Sequence, residues 1–408
     1  MKKIAIIHLG AREYYSVARM FLAQGHDVRV YTDFYRKGLG GLFAPVSRQI
    51  ARRYHSDLPQ NRVVHWPGFA LRYALARRRA RNVAEVEEVF HRFGHEFAGR
   101  CLPELERFCP DVIISFSTTA LEIFQKFKGR SRLILDQIDG GIQEDEIVEA
   151  ERKKFPDWEK PEGMLPPESS RRILDEWTLA DRIVVNSPFS ANCLTASGVP
   201  VNKIQVIPLA FEPKGGAEND RQNIPQSPLR IAFVGTLCLR KGIHDLDRAM
   251  SILKGQGIPV ELHIAGPNQL EPGKFDSLKQ SHHYHGVLSA TETKKLLASC
   301  HVLALPSIAE GFGMVQLEAL AAGCRIITTF NSGQVVSNAL LGRVIEPHSP
   351  EKLAQTIQEV AKEIRIRDEA DFRRAAMDRL QDFSMENVGK LWDAALGAEG
   401  KDGRKNSE

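Results

Sequence analysis

The sequence is poor in the features that mark membrane, redox and polyanion-binding proteins. No run approaches about eighteen apolar residues, the length that a transmembrane helix needs. The six cysteines are scattered, with no C-x-x-C pair and no metal spacing, so we expect buried, reduced thiols in a reducing compartment. A net charge of only +4 over 408 residues excludes a general polyanion-binding role. The dinucleotide-binding pattern G-x-G-x-x-G is also absent.

Short apolar runs, each followed by a turn residue, recur along the chain. The opening run KIAIIHLG meets Arg12 and Glu13 at once, so we interpret it as a buried strand rather than a signal peptide. A similar run, RIAFVGTL, begins at Arg230, and the alternation of strands and helices then restarts. Near-continuous Val, Ile and Leu strands separated by helices are typical of parallel sheets covered on both faces. The pattern predicts an α/β protein with two doubly wound, Rossmann-like domains.

The boundary between the two domains is predicted within residues 208–230, which are rich in Pro, Gly, Asn and Gln and break both periodicities. This gives an N-terminal domain at 1–210 and a C-terminal domain at 211–384. The apolar stripe of SMENVGKLWDAAL predicts a docked helix at 385–398. The polar tail, residues 399–408, is predicted to be disordered.

Two glutamates, Glu310 and Glu318, flank the stretch GFGMVQL, which reads as a loop leading into a helix. Glu310 follows a predicted strand, and open α/β sheets bind ligands at that end of their strands. Glu318 lies among apolar residues, where a buried carboxylate needs a partner. Two glutamates at arbitrary spacing are usually solvated, but the strand, the glycines around Phe312 and the following ALAAG favour a ligand site. Free amides at residues 313–315 would suit a diphosphate.

A basic pair, Arg240 and Lys241 in TLCLRKG, follows the first strand of the second domain. Such a pair is usually solvated. Two cations at the start of a helix oppose the helix dipole, however, and an anionic ligand would remove that conflict. By the same strand-end argument they would face the cleft between the domains, where fixed cations can stabilise an anionic ligand.

Taken together, these stretches resemble the retaining GT-B glycosyltransferases of family 4. The signature is GFGMVQL between Glu310 and Glu318, followed by ALAAG, and the likeness extends to residues 176–211, residues 233–250 and FSMENVGKLW. The resemblance implies a GT-B fold, in which two Rossmann-like domains face a central cleft. It places the acceptor mainly on the N-terminal domain and the nucleotide sugar mainly on the C-terminal domain.

The resemblance also implies roles for individual residues. Glu310 would lie against the donor sugar, and Glu318 would bind the ribose. Lys241 and Arg240 would stabilise the leaving diphosphate, so these two and Glu310 are the catalytic candidates. The implied donor-binding residues are Gly10, Gly235, Thr236, Arg240, Lys241, Val287, Gly311, Phe312, Gly313, Met314, Val315 and Glu318.

Two positions depart from the family pattern. Thr236 stands where an Arg is usual, and we expect Arg240 to take its place. The first-domain His that often lines the donor sugar is missing from RLILDQIDGGIQEDE, where Asp139 is the weaker candidate for a sugar-facing group. An Asp that only shapes a turn before two glycines is the alternative.

Three histidines, His282, His283 and His285, lie close together and could suggest a metal site. No acidic cluster lies near them in the sequence, and the resembled family is generally metal-independent at its donor site. We therefore predict no metal and no cofactor other than the nucleotide-sugar donor, with a UDP or GDP sugar as the first choice.

The basic segment, residues 36–81, contains eleven Lys or Arg and one acidic residue, Asp57. A charge run of this kind is often a solvated face. Interleaved aromatic and leucine residues favour contact with an anionic membrane surface or a phosphate-bearing acceptor. No nucleic-acid recognition module accompanies the charge. The expected location is cytoplasmic, peripheral at the inner membrane face.

The sequence thus predicts a retaining hexosyltransferase that moves a sugar from a nucleotide sugar to a glycan, lipid-linked or small-molecule acceptor. Polysaccharide or glycoconjugate biosynthesis is the expected setting. Two alternatives stay open at this point. One is a GT-B protein that binds nucleotide sugars without turnover, and the other is a nucleotide-sugar isomerase or phosphorylase on the same fold.

Overall fold

The described part of the chain folds around two parallel β-sheets, one of seven strands and one of six. The computed structural model describes residues 1–36, 53–80, 83–162, 166–213, 227–366 and 369–397. Within these ranges, no helix is both long enough and apolar enough to cross a membrane. The predicted α/β class with two doubly wound sheets is confirmed.

The first sheet contains the opening strand of the chain. Its strands are β1 (Lys3–Ile7), β2 (Asp27–Thr32), β3 (Val63–His65), β4 (Val112–Phe116), β5 (Arg132–Gln137), β6 (Arg182–Val185) and β7 (Ile204–Val206). They are ordered β3-β2-β1-β4-β5-β6-β7. The run KIAII is β1, which is buried at all but its first residue and pairs in parallel with β2 and β4. Burial on both faces explains why this strand shows no polar alternation.

The second sheet begins where the apolar pattern restarts. Its strands are β8 (Leu229–Val234), β9 (Val260–Ala265), β10 (His283–Tyr284), β11 (Val302–Leu305), β12 (Arg325–Thr329) and β13 (Gly342–Ile345). Their order, β10-β9-β8-β11-β12-β13, reverses between β8 and β11. These two strands are parallel neighbours, so the loops that follow them emerge at the same edge of the sheet. A reversal of this kind is where open α/β sheets bind ligands.

Helices connect most of the strands. They are α1 (Ser16–Ala23), α2 (Pro67–Arg79), α3 (Val83–Phe108), α4 (Leu121–Phe127), α5 (Gly141–Lys154), α6 (Pro167–Leu179), α7 (Pro188–Ala196), α8 (Ile243–Gly255), α9 (Pro272–Ser281), α10 (Ala290–Ala298), α11 (Val315–Ala321), α12 (Pro350–Ile366), α13 (Glu369–Asp382) and α14 (Met385–Gly397). In α8, Leu246, Met250 and Leu253 are buried at helical spacing and join the core beneath the second sheet.

The chain divides into two compact units. The first comprises residues 1–136, residues 174–183 and the chain from residue 385 onward, and the second comprises residues 137–173 and 184–384. Within the first unit, Trp392 of α14 packs edge-on against Phe21 of α1, with ring centroids 6.2 Å apart. The predicted boundary at 210/211 falls inside the second unit and stays a prediction.

The basic segment is described in part, because residues 37–52 and Arg81 lie outside the described residues. Its described portion includes α2, whose last turn carries three successive arginines, residues 77–79. Leu71 and Leu75 of this helix are 62% and 46% exposed. Exposed arginines beside exposed leucines are typical of helices that lie on an anionic membrane surface.

Candidate active site

The basic pair lies on the loop that follows β8. Leu239–Lys241 form a single 3-10 turn, and α8 begins two residues after Lys241. Gly242 links the turn to the helix with φ +69°, in the left-handed region that favours glycine. A Cβ atom at Gly242 would lie 2.0 Å from the carbonyl oxygen of Pro306. The turn that carries Arg240 and Lys241 is therefore packed directly against the loop that carries Glu310.

Glu310 meets both cations at this edge of the sheet. Its carboxylate contacts the Lys241 ammonium directly and lies 3.8 Å from the Arg240 guanidinium. The glutamate is only 9% exposed. Arg240 also donates a hydrogen bond to the Ala309 carbonyl at 3.1 Å, and its own carbonyl accepts from the Ile308 amide at 2.9 Å. The three catalytic candidates thus form one charged cluster, held in place by hydrogen bonds between the two loops.

Burial shapes the charge of this cluster. Desolvation and the neighbouring Arg240 guanidinium lower the pKa of Lys241. The Glu310 carboxylate opposes that shift, because an adjacent anion favours the ammonium form. With its pKa lowered to about 7, Lys241 is close to the change between its neutral and ammonium forms, and an anionic ligand would favour the ammonium form.

A second carboxylate, Glu144 of α5, completes the cluster and was not predicted from the sequence. Its Oε1 lies 3.5 Å from Arg240, and its Oε2 accepts a hydrogen bond from the Gly140 amide at 2.7 Å. Burial, assisted by the Asp139 carboxylate, raises the pKa of Glu144 to about 7, while Arg240 acts in the opposite direction. The residue lies in the acidic stretch IQEDE, but nothing in that spacing distinguishes Glu144 from its solvated neighbours.

Asp139 lies beside the Glu310 loop but is engaged in its own turn. One of its carboxylate oxygens accepts hydrogen bonds from the Gln137 amide at 2.5 Å and from the Gly141 backbone at 3.1 Å. At Gly311, a Cβ atom would lie 2.2 Å from the Ile138 carbonyl and 3.6 Å from the Asp139 Cα. The structure thus brings Asp139 next to the predicted donor loop, while its hydrogen bonds fit the turn-shaping alternative.

The stretch from Gly311 to Val315 runs from buried residues that contact the core to partly buried residues at the start of α11. Phe312 is buried, with its ring 5.9 Å from that of Phe383, and its carbonyl accepts from the Gly333 amide and from the side chain of Gln316. Gly313 has φ +78° and turns the chain into α11. Among the described residues, no hydrogen bond is seen for the backbone amides of residues 313–315. These amides are the part of the stretch that can still bind a ligand.

The remaining predicted residues of the second unit are more open. Glu318 is exposed on α11 rather than enclosed by the apolar residues around it. Val287 is 73% exposed, and Thr236 is half-buried. Gly235 directly follows β8 with φ +153°, and a Cβ atom there would lie 3.9 Å from the Lys241 side chain. All four are accessible to a ligand or adjacent to a residue of the charged cluster.

Gly10 belongs to the first unit and is described separately. It follows β1 with φ +92°. Its amide donates to Asp33 at 3.0 Å, and its carbonyl accepts from the Thr32 hydroxyl at 3.0 Å. The side chain of Arg53 contacts the same Asp33 carboxylate. The backbone amide and carbonyl of Gly10, a predicted donor-binding residue, are thus both hydrogen-bonded within the first unit.

The two parallel sheets, with a charged cluster at the switch point of the second, define the GT-B class of protein. Two solved structures with this fold are similar over nearly the whole chain. Sucrose-phosphate synthase of Thermosynechococcus elongatus has a TM-score of 0.61 and 16% identity, covering 98% of this chain and all of its own. The Anabaena protein HepE, solved with UDP, also has a TM-score of 0.61 and 16% identity, covering 97% of this chain and all of its own. At this identity, the likeness shows the fold.

Sequence comparison identifies a family domain in part of the chain. Residues 217–378 match the family model for glycosyl transferases group 1, so the chain carries a domain of that family. D-inositol 3-phosphate glycosyltransferase of Paenarthrobacter aurescens is 24% identical over 251 residues, which are 57% of this chain and 60% of that protein. The chain thus spans about three fifths of the length of this curated relative. The resemblance predicted from the two-glutamate signature is confirmed.

Proposed function

We propose that this protein is a retaining glycosyltransferase that moves a sugar from a nucleotide-sugar donor to a glycan, lipid-linked or small-molecule acceptor. The cluster of Arg240, Lys241 and Glu310 carries the proposal, because it lies inside the group 1 domain at the switch point of the second sheet. The C-terminal domain (211–384) would bind the donor, the N-terminal domain (1–210) the acceptor, and the helix at 385–398 would return to the N-terminal domain. Polysaccharide or glycoconjugate biosynthesis is the proposed setting.

In the proposed reaction, the charged cluster stabilises the diphosphate leaving group. The bond between the anomeric carbon and the diphosphate oxygen breaks, and the acceptor oxygen bonds to that carbon on the same face. The acceptor proton passes to the departing phosphate oxygen, so the reaction needs no nucleophile from the protein. Arg240 and Lys241 neutralise the charge that develops on the diphosphate, and the amides of residues 313–315 add hydrogen bonds. Glu310 would orient Lys241 through their contact and would lie against the donor sugar.

The donor is proposed to be a UDP or GDP sugar. UDP is bound in the similar HepE structure, which supports UDP as the first nucleotide to test. Glu318 would accept hydrogen bonds from the ribose hydroxyls, a role that its exposure on α11 permits. Val287, exposed on the loop after β10, would lie against the base.

Nucleotide binding gives the direct test of this proposal. In a thermal-shift panel of UDP, GDP, ADP and CDP, each with and without a chelator, one nucleotide is expected to stabilise the protein in both conditions. Ligand at about a hundred times its dissociation constant adds about 2.7 kcal/mol to the free energy of unfolding. Glu318→Ala is expected to weaken binding of that nucleotide about tenfold, since it removes a charge-assisted hydrogen bond. Asp276→Ala, which removes an exposed carboxylate from α9 in the same unit, is the matched control and should bind normally.

The outcomes also separate the proposed transferase from its alternatives. No shift with any nucleotide would overturn the donor site itself. A shift without release of nucleoside diphosphate from the matching nucleotide sugar, over a panel of acceptors, would favour the binding protein without turnover. Interconversion of the nucleotide sugar without an acceptor, or sugar release that requires free phosphate, would favour the isomerase or the phosphorylase.

We also propose that the basic segment contacts an anionic membrane surface. The support is α2, with arginines in its last turn beside the exposed Leu71 and Leu75. The full chain is expected to sediment with vesicles containing anionic lipid at low salt and to be released as the salt concentration rises. Equal recovery with neutral and anionic vesicles would contradict the proposal. Leu71→Ser with Leu75→Ser should weaken the association while leaving nucleotide binding unchanged.

A further inference from the structure

Three potential metal ligands come together on the edge of the second sheet, outside the charged cluster. Glu261 and His263 lie two residues apart on β9 and so project from the same face. His283 of the edge strand β10 is the direct parallel partner of His263. One potential ligand atom from each of the three lies within 4.8 Å of the others. We propose that Glu261, His263 and His283 bind a divalent transition-metal ion, with Zn²⁺ as the first candidate.

The geometry around His263 supports a metal rather than an ordinary hydrogen-bonded pair. Its Nε2 atom is buried, and no described residue hydrogen-bonds to it. The nearest carboxylate oxygen, on Glu261, lies 3.5 Å from this nitrogen. That separation is long for a hydrogen bond. It is close to the ~3.4 Å that separates two ligands of a tetrahedral zinc ion with bond lengths near 2.1 Å.

The Nδ1 atom of His263 has a hydrogen-bond partner, as the non-ligating nitrogen of a metal-binding histidine usually has. Its Nδ1 atom lies 3.1 Å from Nε2 of His285, within hydrogen-bond distance. A hydrogen bond at one ring nitrogen fixes the tautomer and the ring orientation, leaving the other nitrogen to bind the ion.

His283 would become the third ligand after a rotation of its side chain. Its ring stacks on that of His263, with centroids 4.8 Å apart and an angle of 17° between the planes. His283 is exposed on the edge strand, so its side chain can rotate to shorten the distances from 4.8 Å towards those of a tetrahedron. Three protein ligands would leave a fourth position for water.

Two other contacts limit the proposal to these three residues. His282, which was grouped with His283 and His285 from the sequence, points elsewhere and pairs with Asp247 at 2.9 Å. Arg230 lies 3.3 Å from the Glu261 carboxylate, so this carboxylate would be shared between the guanidinium and the ion. Such sharing weakens the carboxylate as a ligand and makes the two histidines the stronger part of the site.

Metal titration of the chelator-treated, full-length protein tests the site without any nucleotide. All proteins carry Cys109→Ser, because this exposed thiol could bind zinc by itself. We expect one Zn²⁺ per chain, measured by competition with a chromophoric chelator, and Co²⁺ should give the visible absorption of a tetrahedral site. His283→Gln and His263→Gln should each weaken binding at least tenfold. His95→Gln, which removes an exposed histidine of the first unit, is the control and should bind as the parent does.

The two histidine variants distinguish a loss of zinc binding from a loss of folding. His283 is exposed, so His283→Gln should unfold at the same temperature as the parent when no metal is present. Zinc binding that is unchanged in both variants, or lost equally in His95→Gln, would overturn the site. The result is independent of the proposed transferase activity, because neither nucleotide nor sugar takes part in the measurement.

Discussion

Replacing Lys241 by methionine is expected to lower the rate of sugar transfer by about 10²- to 10³-fold, the usual loss when one charge-stabilising group is removed. Methionine keeps most of the side-chain volume but leaves the departing diphosphate without this cation. Nucleoside diphosphate release from the nucleotide sugar that binds in the thermal-shift panel would measure the effect. Lys254→Met, which removes an exposed lysine from α8, is the control and should keep its activity.

The same variant carries a stability cost that must be separated from the catalytic one. Without Lys241, the buried Glu310 carboxylate loses its direct ionic partner, which costs about 3 kcal/mol in the free energy of unfolding. The double variant Lys241→Met with Glu310→Gln removes both charges, so most of that stability should return. Activity should stay low in the double variant, because the diphosphate still lacks its cation. Recovery of activity together with stability would show that Lys241 supports the fold and not the reaction.

Replacing Gly242 by alanine is expected to destabilise the protein by more than about 4 kcal/mol, in the range reserved for severe defects. The new Cβ atom would lie 2.0 Å from the Pro306 carbonyl oxygen. The position of Cβ is fixed by the backbone at residue 242, and the oxygen is itself a backbone atom, so neither can simply rotate away. Urea or thermal unfolding of the purified variant measures the loss. Because Pro306 leads into the Glu310 loop, nucleotide binding should weaken in any protein that still folds.

Gly257→Ala is the control that separates the steric clash with Pro306 from the strain of an alanine in the left-handed backbone conformation. Gly257 has φ +72°, nearly the φ of +69° at Gly242, but no atom lies within 4 Å of a Cβ built there. Its replacement should therefore cost only the ~1 kcal/mol that a left-handed alanine carries. Equal losses in the two variants would show that the contact between Gly242 and Pro306 is not tight.

The sequence predicts the two sheets well, because strands buried on both faces appear as unbroken apolar runs such as KIAII and VLAL. It also predicts that Lys241 and Glu310 each follow a strand, at the end where open α/β sheets bind ligands. In the structure the two side chains meet at that edge of the second sheet. For these two residues, the local sequence pattern and the strand order of the second sheet both indicate the same edge of the sheet.

Other parts of the site depend on contacts that no local pattern records. Glu144 reaches Arg240 from a helix that starts about a hundred residues earlier in the chain, and its acidic neighbours give no sign of the difference. Glu261 and His263 are hidden in an ordinary strand, and they join His283 only through the pairing of β9 with β10. The exposure of Glu318 likewise depends on which face of α11 meets the core.

The reversal of strand order between β8 and β11 also bears on how the protein folds. The pairing of Val302 with Ile231 joins parts of the chain about seventy residues apart, and β9 and β10 must be accommodated in between. Such a long loop closes at a considerable entropic cost and slows folding compared with local pairing. The contact between Lys241 and Glu310 exists only after that closure. A chain emerging from the ribosome therefore lacks this charged cluster until β11 has been synthesised and has found its place beside β8.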